Sequence, residues 1–207
     1  MKVILYGASG MIGSRVLQEL IRRRHNVTAV VRNPEKVAPG VKALKGDMAD
    51  EESVTQTVRG ADAVISAYAP PVTQVTTLIP AIRSLVAGVT KAGVKRLIVV
   101  GGAGSLEVAP GVQLVDAGHL PEEWKGIALA HRDVLPILKS SSLEWSYFSP
   151  AAFIQPGERT GKFRLGGTQL VTDEKGESRI SAEDYAIALA DELDAPQHLR
   201  QQFTAAY

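Results

Sequence analysis

Apolar residues recur along this chain in two alternating rhythms. Val3 to Tyr6 is a short unbroken apolar run, the pattern of a strand buried on both faces. Ile12, Val16, Leu17, Leu20 and Ile21 then recur at helical spacing, with Arg15, Gln18, Glu19 and Arg22 on the other side. Further short apolar runs at Val27 to Val31, Val41 to Lys45, Ala63 to Ala67, Leu97 to Val100 and Trp145 to Ser149 predict more strands. Helices are predicted between most of them, over Glu51 to Val58, Val72 to Ala92 and Ile127 to Lys139. Strands alternating with helices predict an α/β fold: a doubly wound parallel sheet with right-handed crossovers and helices on both faces. Its ligand crevice belongs at the carboxyl ends of the strands, where the strand order reverses.

After Ser149 the rhythm changes. Gly157, Gly161, Gly166, Gly167 and Gly176 cut the chain into short pieces, and a closing helix is predicted over Ala182 to Leu193 with Ala182, Tyr185, Ala186, Leu189 and Leu193 on its apolar face. A single domain over residues 1–207 is expected, with about 150–207 forming a small substrate-side cap.

The first strand runs directly into Gly7-Ala8-Ser9-Gly10-Met11-Ile12-Gly13 and then the first helix. Each glycine there answers a demand made by a bound diphosphate. Gly7 permits a tight turn out of the strand, Gly10 removes a side chain where phosphate oxygens must approach the backbone, and Gly13 lets the helix sit close to the sheet. The phosphates would lie at the positive end of that helix, where N–H groups lack helical acceptors. Strand, glycine turn and helix come in the order this mechanism needs.

Composition narrows the function classes. Of 207 residues 45% are hydrophobic, enough for a sizeable core, and 23 Lys and Arg face 22 Asp and Glu, so a net charge of +1 offers no field to gather nucleic acid or an anionic membrane. Cysteine is absent, which removes disulfides, thiolate metal sites and a cysteine nucleophile. His25, His119 and His198 have no metal-ligand spacing, and no metal site is expected. No apolar run approaches the roughly 18 residues of a membrane span, and the core strand begins at the first residues, so a cytoplasmic protein without a signal peptide is expected.

Candidate chemistry gathers at the predicted strand ends. The second strand ends in Arg32-Asn33-Pro34, and Arg32 stands where an adenosine ribose is read; its planar fork suits a 2′-phosphate, which favours NADP(H) over NAD(H). A solvated loop arginine is the plainer alternative. Asp47, after Gly46, can accept from an adenine amino group or simply close a turn. The fourth strand ends in Ala67-Tyr68-Ala69, small enough around Tyr68 to pass close to a ribose, and the fifth in a second glycine turn, Gly101-Gly102-Ala103-Gly104-Ser105. Two such turns on one sheet edge suit one long ligand. Ser105 can bond a carboxamide or a substrate oxygen, or be a loop residue. Glu183 and Asp184 read as first-turn residues of the closing helix behind a Ser181 cap, and Thr160 to Arg164 as a solvated loop with two cations.

Together, the Gly-Ala-Ser-Gly turn, Arg32-Asn33-Pro34, Gly46-Asp47, Val100 to Leu106, Ser149-Pro150-Ala151-Ala152, Gly161 to Gly167, Ile180 to Ala186 and the ending Pro196 to Tyr207 resemble the atypical short-chain dehydrogenase/reductases of the NAD(P)H-binding, NADH-flavin reductase type. The resemblance spans nearly the whole chain. It implies a Rossmann fold, a reduced nicotinamide cofactor and a small-molecule electron acceptor such as a flavin or quinone, in a monomer or homodimer. It implies cofactor contacts at Gly7, Ser9, Gly10, Met11, Ile12, Arg32, Asp47, Met48, Ala67, Tyr68, Ala69, Gly102 and Pro150. The wider group also contains sugar-nucleotide epimerases or dehydratases and regulators that sense the dinucleotide with little turnover.

One departure bears on mechanism. Typical members of the superfamily carry Tyr-x-x-x-Lys on the helix after the fifth strand, where the phenol protonates a carbonyl oxygen. Here the tyrosine position falls at Ile127 and the lysine position at His131. Ordinary carbonyl reduction is disfavoured, whereas a flavin or quinone delocalises incoming charge and takes protons from water. The catalytic candidates that remain are His131, Ser105 and Tyr68, with a structural histidine as the competing reading of His131.

Overall fold

The computed structural model describes every residue of 1–207 except His119, so the histidine comparison made above lies partly outside the described residues. In chain order the strands are β1 (Lys2–Tyr6), β2 (Asn26–Val31), β3 (Lys42–Lys45), β4 (Ala63–Ser66), β5 (Arg96–Val100), β6 (Glu107–Ala109), β7 (Val112–Gln113), β8 (Glu144–Ser149), β9 (Phe153–Gln155), β10 (Arg164–Gly166), β11 (Arg179–Ser181) and β12 (Gln201–Ala206). Eight of them make the main sheet in the order β10-β12-β8-β5-β4-β1-β2-β3. All pairs in it are parallel except β10 with β12. The order reverses between β1 and β4, which opens a crevice at their carboxyl ends.

Six α-helices are described: α1 (Met11–Arg22), α2 (Glu51–Val58), α3 (Leu78–Lys91), α4 (Glu122–Arg132), α5 (Val134–Ser140) and α6 (Ala182–Asp194). Strand alternation sorts the core into two layers. Val3, Leu5, Ala29, Val31, Ile65, Phe148 and Phe203 face α1 and α6. Their neighbours Ile4, Tyr6, Val30, Val64, Trp145 and Tyr147 face α2, α3 and α5. Buried on both faces, these strands read as continuous apolar runs, as expected of a parallel sheet.

Proline decides two helix boundaries. The helix expected over Ile127 to Lys139 is two helices with a break at Asp133, because Pro136 has no N–H for the Arg132 carbonyl and its ring crowds that carbonyl. Ahead of α3, Val72–Thr77 is a 3₁₀ segment with Gln74 at a non-helical φ of −133°; Pro80 then sits in the first turn of α3, where a missing donor costs least. By length and mean hydropathy Val72–Lys91 does reach a membrane span, unlike the expectation above. In this fold Leu78, Ala81, Ile82, Leu85 and Val89 of α3 are at most 3% exposed, and all lie in the second core layer.

Beyond residue 150 the chain divides. The β9–β11 pair and β10 lie outside the central strands, while α6 and β12 are built into the sheet core. Strand β12 has a polar start and only Phe203 as a large apolar residue, so hydrophobic rhythm does not announce it.

Candidate dinucleotide site

The first glycine turn is shaped by contacts on two sides. Gly7 has φ +76°, and a Cβ there would lie 2.5 Å from the Ala67 carbonyl oxygen at the exit of β4. At Gly13 a Cβ would come within 2.1 Å of the Gly7 carbonyl oxygen. Both glycines are therefore required by the protein's own backbone. Gly10 differs: its φ of −76° suits any residue, and a Cβ would meet only the Gly7 oxygen, at 3.4 Å. A side chain at Gly10 would project out of the protein, over the start of α1.

No side chain caps that helix. The Gly10 N–H turns back to Gly7 O at 3.0 Å and the first helical bond is Ser14 N–H to Gly10 O at 2.9 Å, which leaves the N–H groups of Met11 and Ile12 without an acceptor among the described residues. Unpaired N–H groups, the helix dipole and the bare Gly10 surface fit a diphosphate.

Around this turn the predicted residues take their places by strand register. Tyr6 pairs with Val30 and Val31 with Lys45, so Arg32 and Asp47 leave β2 and β3 on the same edge. Arg32 is exposed and makes no ion pair among the described residues. Asp47 is also exposed, and its Oδ1 accepts the Ala49 N–H at 2.9 Å, closing a turn while its other oxygen stays unused. The side chain of Met48 is 5% exposed and packs in the core, its sulfur accepting from Ser66 Oγ at 3.5 Å; only its backbone lies at the edge. Ser9 and Met11 are exposed and Ile12 is half-buried at the start of α1.

On the other side of the switch point, Ala67, Tyr68 and Ala69 leave β4 beside Gly7. The Tyr68 hydroxyl lies 3.3 Å from Thr77 Oγ1. Gly102 leaves β5 half-buried, and Pro150 is buried after β8. Two large rings, Trp124 in the first turn of α4 and Phe153 on β9, are 52% and 76% exposed.

Beneath the second glycine turn lies a phenol that sequence pattern alone does not single out. Tyr147, on β8, is fully buried, receives the Gly102 N–H at 3.2 Å and donates to the His131 carbonyl at 2.6 Å. Burial pushes its hydroxyl well above the usual range. A Cβ on Gly101 would meet the Tyr147 ring at 2.4 Å, so this turn needs glycine to lie over it. The available signal was a hydroxyl on a strand buried on both faces, which requires partners. Ser105 is only 3% exposed; its hydroxyl receives Gln202 Nε2 at 2.9 Å, and the same nitrogen reaches Ser149 Oγ at 3.0 Å. His131 is 7% exposed, and burial alone pulls its imidazole from 6.5 down to about 4. It is neutral at pH 7.

Asp184 does more than occupy the first turn of α6. Behind the Ser181 cap it is fully buried and accepts from Thr160 N–H, Thr160 Oγ1, Gly161 N–H and Tyr207 Oη at 2.6–3.0 Å. This ties the 160–161 turn and the chain end to α6. Arg159 forms two hydrogen bonds to Glu19 of α1; burial raises the Glu19 carboxyl, but Arg159 and Arg23 outweigh it and hold the group below its usual range. A cleft of about 500 Å³ lined by Arg23, Asp191, Asp194 and His198 lies at the far, amino edge of the sheet, and Arg23 is already paired with both aspartates.

The family model described as NAD(P)H-binding matches residues 7–196, from the first glycine to just past α6. The chain belongs to the NAD(P)H-binding family. Solved structures similar to it include a Burkholderia pseudomallei protein provisionally described as exported, 50% identical with a TM-score of 0.93 and all of both chains covered. Another, from Bacteroides thetaiotaomicron and provisionally named an epimerase, is 43% identical with a TM-score of 0.94, covering 100% of this chain and 96% of that one. A Streptococcus pneumoniae protein provisionally named an NADH-flavin reductase is 34% identical with a TM-score of 0.90, covering 100% and 99%. The fold agrees across the three while their names differ, so the reaction has to be argued from the residues at the edge.

Proposed function

We propose that this member of the family is an NADP(H)-dependent reductase that passes hydride to a planar, diffusible acceptor of the flavin or quinone class. The observation that carries the reading is the state of the protonatable groups around the second glycine turn. His131 is neutral at pH 7, Tyr147 is sealed below the turn, and the phenol position of the superfamily is Ile127. A carbonyl substrate would need an acid at that place; a flavin or quinone does not, because charge spreads over its rings and water supplies protons.

Bound NADPH supplies the hydride. The chain's own residues hold and orient: Met11 and Ile12 offer N–H groups to the diphosphate, and Arg32 meets a 2′-phosphate with no competing carboxylate. Trp124 and Phe153 offer exposed rings on which a flat acceptor stacks. A cytoplasmic setting belongs to the same reading.

The test follows NADPH absorbance with FMN, riboflavin or a simple quinone. Oxidation well above the enzyme-free rate with at least one acceptor is expected. Tight NADPH binding with no turnover above background would replace this reading with that of a dinucleotide sensor.

A further inference from the structure

Arg15 opens the second turn of α1, yet its side chain reaches back toward the start of the helix. Nη1 donates to the Met11 carbonyl at 3.2 Å, and Nε to Glu183 Oε1 of α6 at 3.0 Å. Ser14 Oγ donates to the same carbonyl at 3.2 Å and receives Nη1 at 3.3 Å. The other Glu183 oxygen accepts the Gly157 N–H at 2.8 Å, in the segment that leads from β9 to the 160–161 turn. Burial raises the Glu183 carboxyl, but the Gly157 N–H and Arg15 outweigh it and hold the group below its usual range. Glu183 is therefore a carboxylate at pH 7, with one oxygen on each neighbour.

This chain of bonds ends where an anion would begin. The Met11 carbonyl and the Ile12 N–H belong to one peptide unit, and that N–H has no acceptor among the described residues. A guanidinium on the oxygen draws electrons from the nitrogen and makes the N–H a stronger donor, because hydrogen bonds in series polarise one another. A cation so near the positive end of a helix works against the dipole, a cost that an anion bound ahead of Met11 would reverse. Fastening of the 157–161 segment does not depend on this pair, since Asp184 already holds Thr160 and Gly161, and Glu19 holds Arg159. We propose that Arg15 is a positioning residue for the diphosphate, acting through the Met11 carbonyl, and that Glu183 couples it to the 157–161 segment. Anion binding at α1 and the seating of that segment then strengthen each other, as coupled sites must. This rests on a dinucleotide diphosphate lying at α1 and is independent of turnover or acceptor.

The test measures NADPH affinity by calorimetry and uses ADP as a second probe, which carries the diphosphate but no nicotinamide half to cover residue 157. Arg15→Met and Glu183→Gln should each lower NADPH affinity about fivefold, and the double variant should lose no more than about that, because both act through one chain of bonds. Losses that multiply, to about 25-fold in the double variant, would make the two residues independent and overturn the coupling. Higher affinity in Glu183→Gln, the result of merely removing a negative charge beside an anion, would overturn the proposal, as would unchanged affinity in either variant. In the wild type, ADP should slow amide exchange at Gly157 about threefold, and in Arg15→Met it should not. A Gly157 amide indifferent to ADP in the wild type would overturn the proposal even if the variants fail to fold. Failure of the wild type to bind either ligand would instead remove the dinucleotide reading on which the proposal rests, and the proposal with it.

Discussion

Glycine is required at position 13 by the protein itself, because a methyl group there would strike the carbonyl of Gly7. Gly13→Ala should therefore destabilise the fold by about 2 kcal/mol or more through overpacking, read as a lowered midpoint in urea; an unchanged midpoint would show that the turn gives way freely. Arg32 makes the opposite kind of claim, about a ligand rather than the fold. With no carboxylate partner to leave stranded, Arg32→Ala should keep its melting temperature, weaken NADPH about tenfold or more and weaken NADH little. Equal losses for the two cofactors would remove Arg32 from the phosphate site. His131 has a separate signature in acid. Its folded value of about 4 lies below the ordinary 6.5, so below about pH 6.5 the unfolded chain takes up a proton that the folded one refuses. Stability should fall between about pH 6.5 and pH 4, by about 3 kcal/mol for this group, and level off below. His131→Phe should flatten that part of the profile; an identical acid profile in the variant would mean the imidazole is already protonated in the fold.

Whether an element shows itself in the sequence depends on what buries it. Strands β1, β2, β4, β5 and β8 are covered on both faces by helices, so their burial is written as apolar runs, and α1 and α6 carry one apolar face each. Strand β12 is equally buried from Phe203 onward, yet it fills its place with Thr204, Ala205 and Ala206, whose small side chains carry little hydrophobic signal. Strands β9, β10 and β11 have three residues each, too few to show a period. The break between α4 and α5 was legible in Pro136, but the apolar rhythm runs on through it. Polar hubs are harder still, since a sequence names their members without naming their partners. Asp184 looks like an ordinary first-turn carboxylate, and only the folded chain brings Thr160, Gly161 and Tyr207 onto it. Asp184→Ala removes the buried acceptor that these part-buried donors share and should cost about 2 kcal/mol. Amide exchange at Thr160 and Gly161 should accelerate while the middle of α1 stays protected; a variant as stable as the wild type would show that water replaces the carboxylate.

At the scale of the whole molecule, one sheet edge collects what the individual elements offer. The strand order reverses between β1 and β4, the uncapped start of α1 stands at that reversal, Arg32 and Asp47 lie to one side, and Tyr68, Gly102 and His131 lie to the other. The glycine spacing made the tight turn at Gly7 and the close helix approach at Gly13 legible from sequence, because a backbone contact imposes a strict demand on side-chain size. The other side of the switch point was less legible, since exposed rings and a buried imidazole acquire meaning only through position. The central claim is that the bare surface of Gly10 is the cofactor's anchoring point, and a calorimetric titration of NADPH into the wild type and Gly10→Ala tests it most directly. Because Gly10 has an ordinary φ and an added Cβ would touch little of the protein, the account predicts a variant with wild-type melting temperature and NADPH affinity lowered at least about tenfold, against one clear binding site in the wild type. A stable Gly10→Ala that binds NADPH as well as the wild type would contradict it.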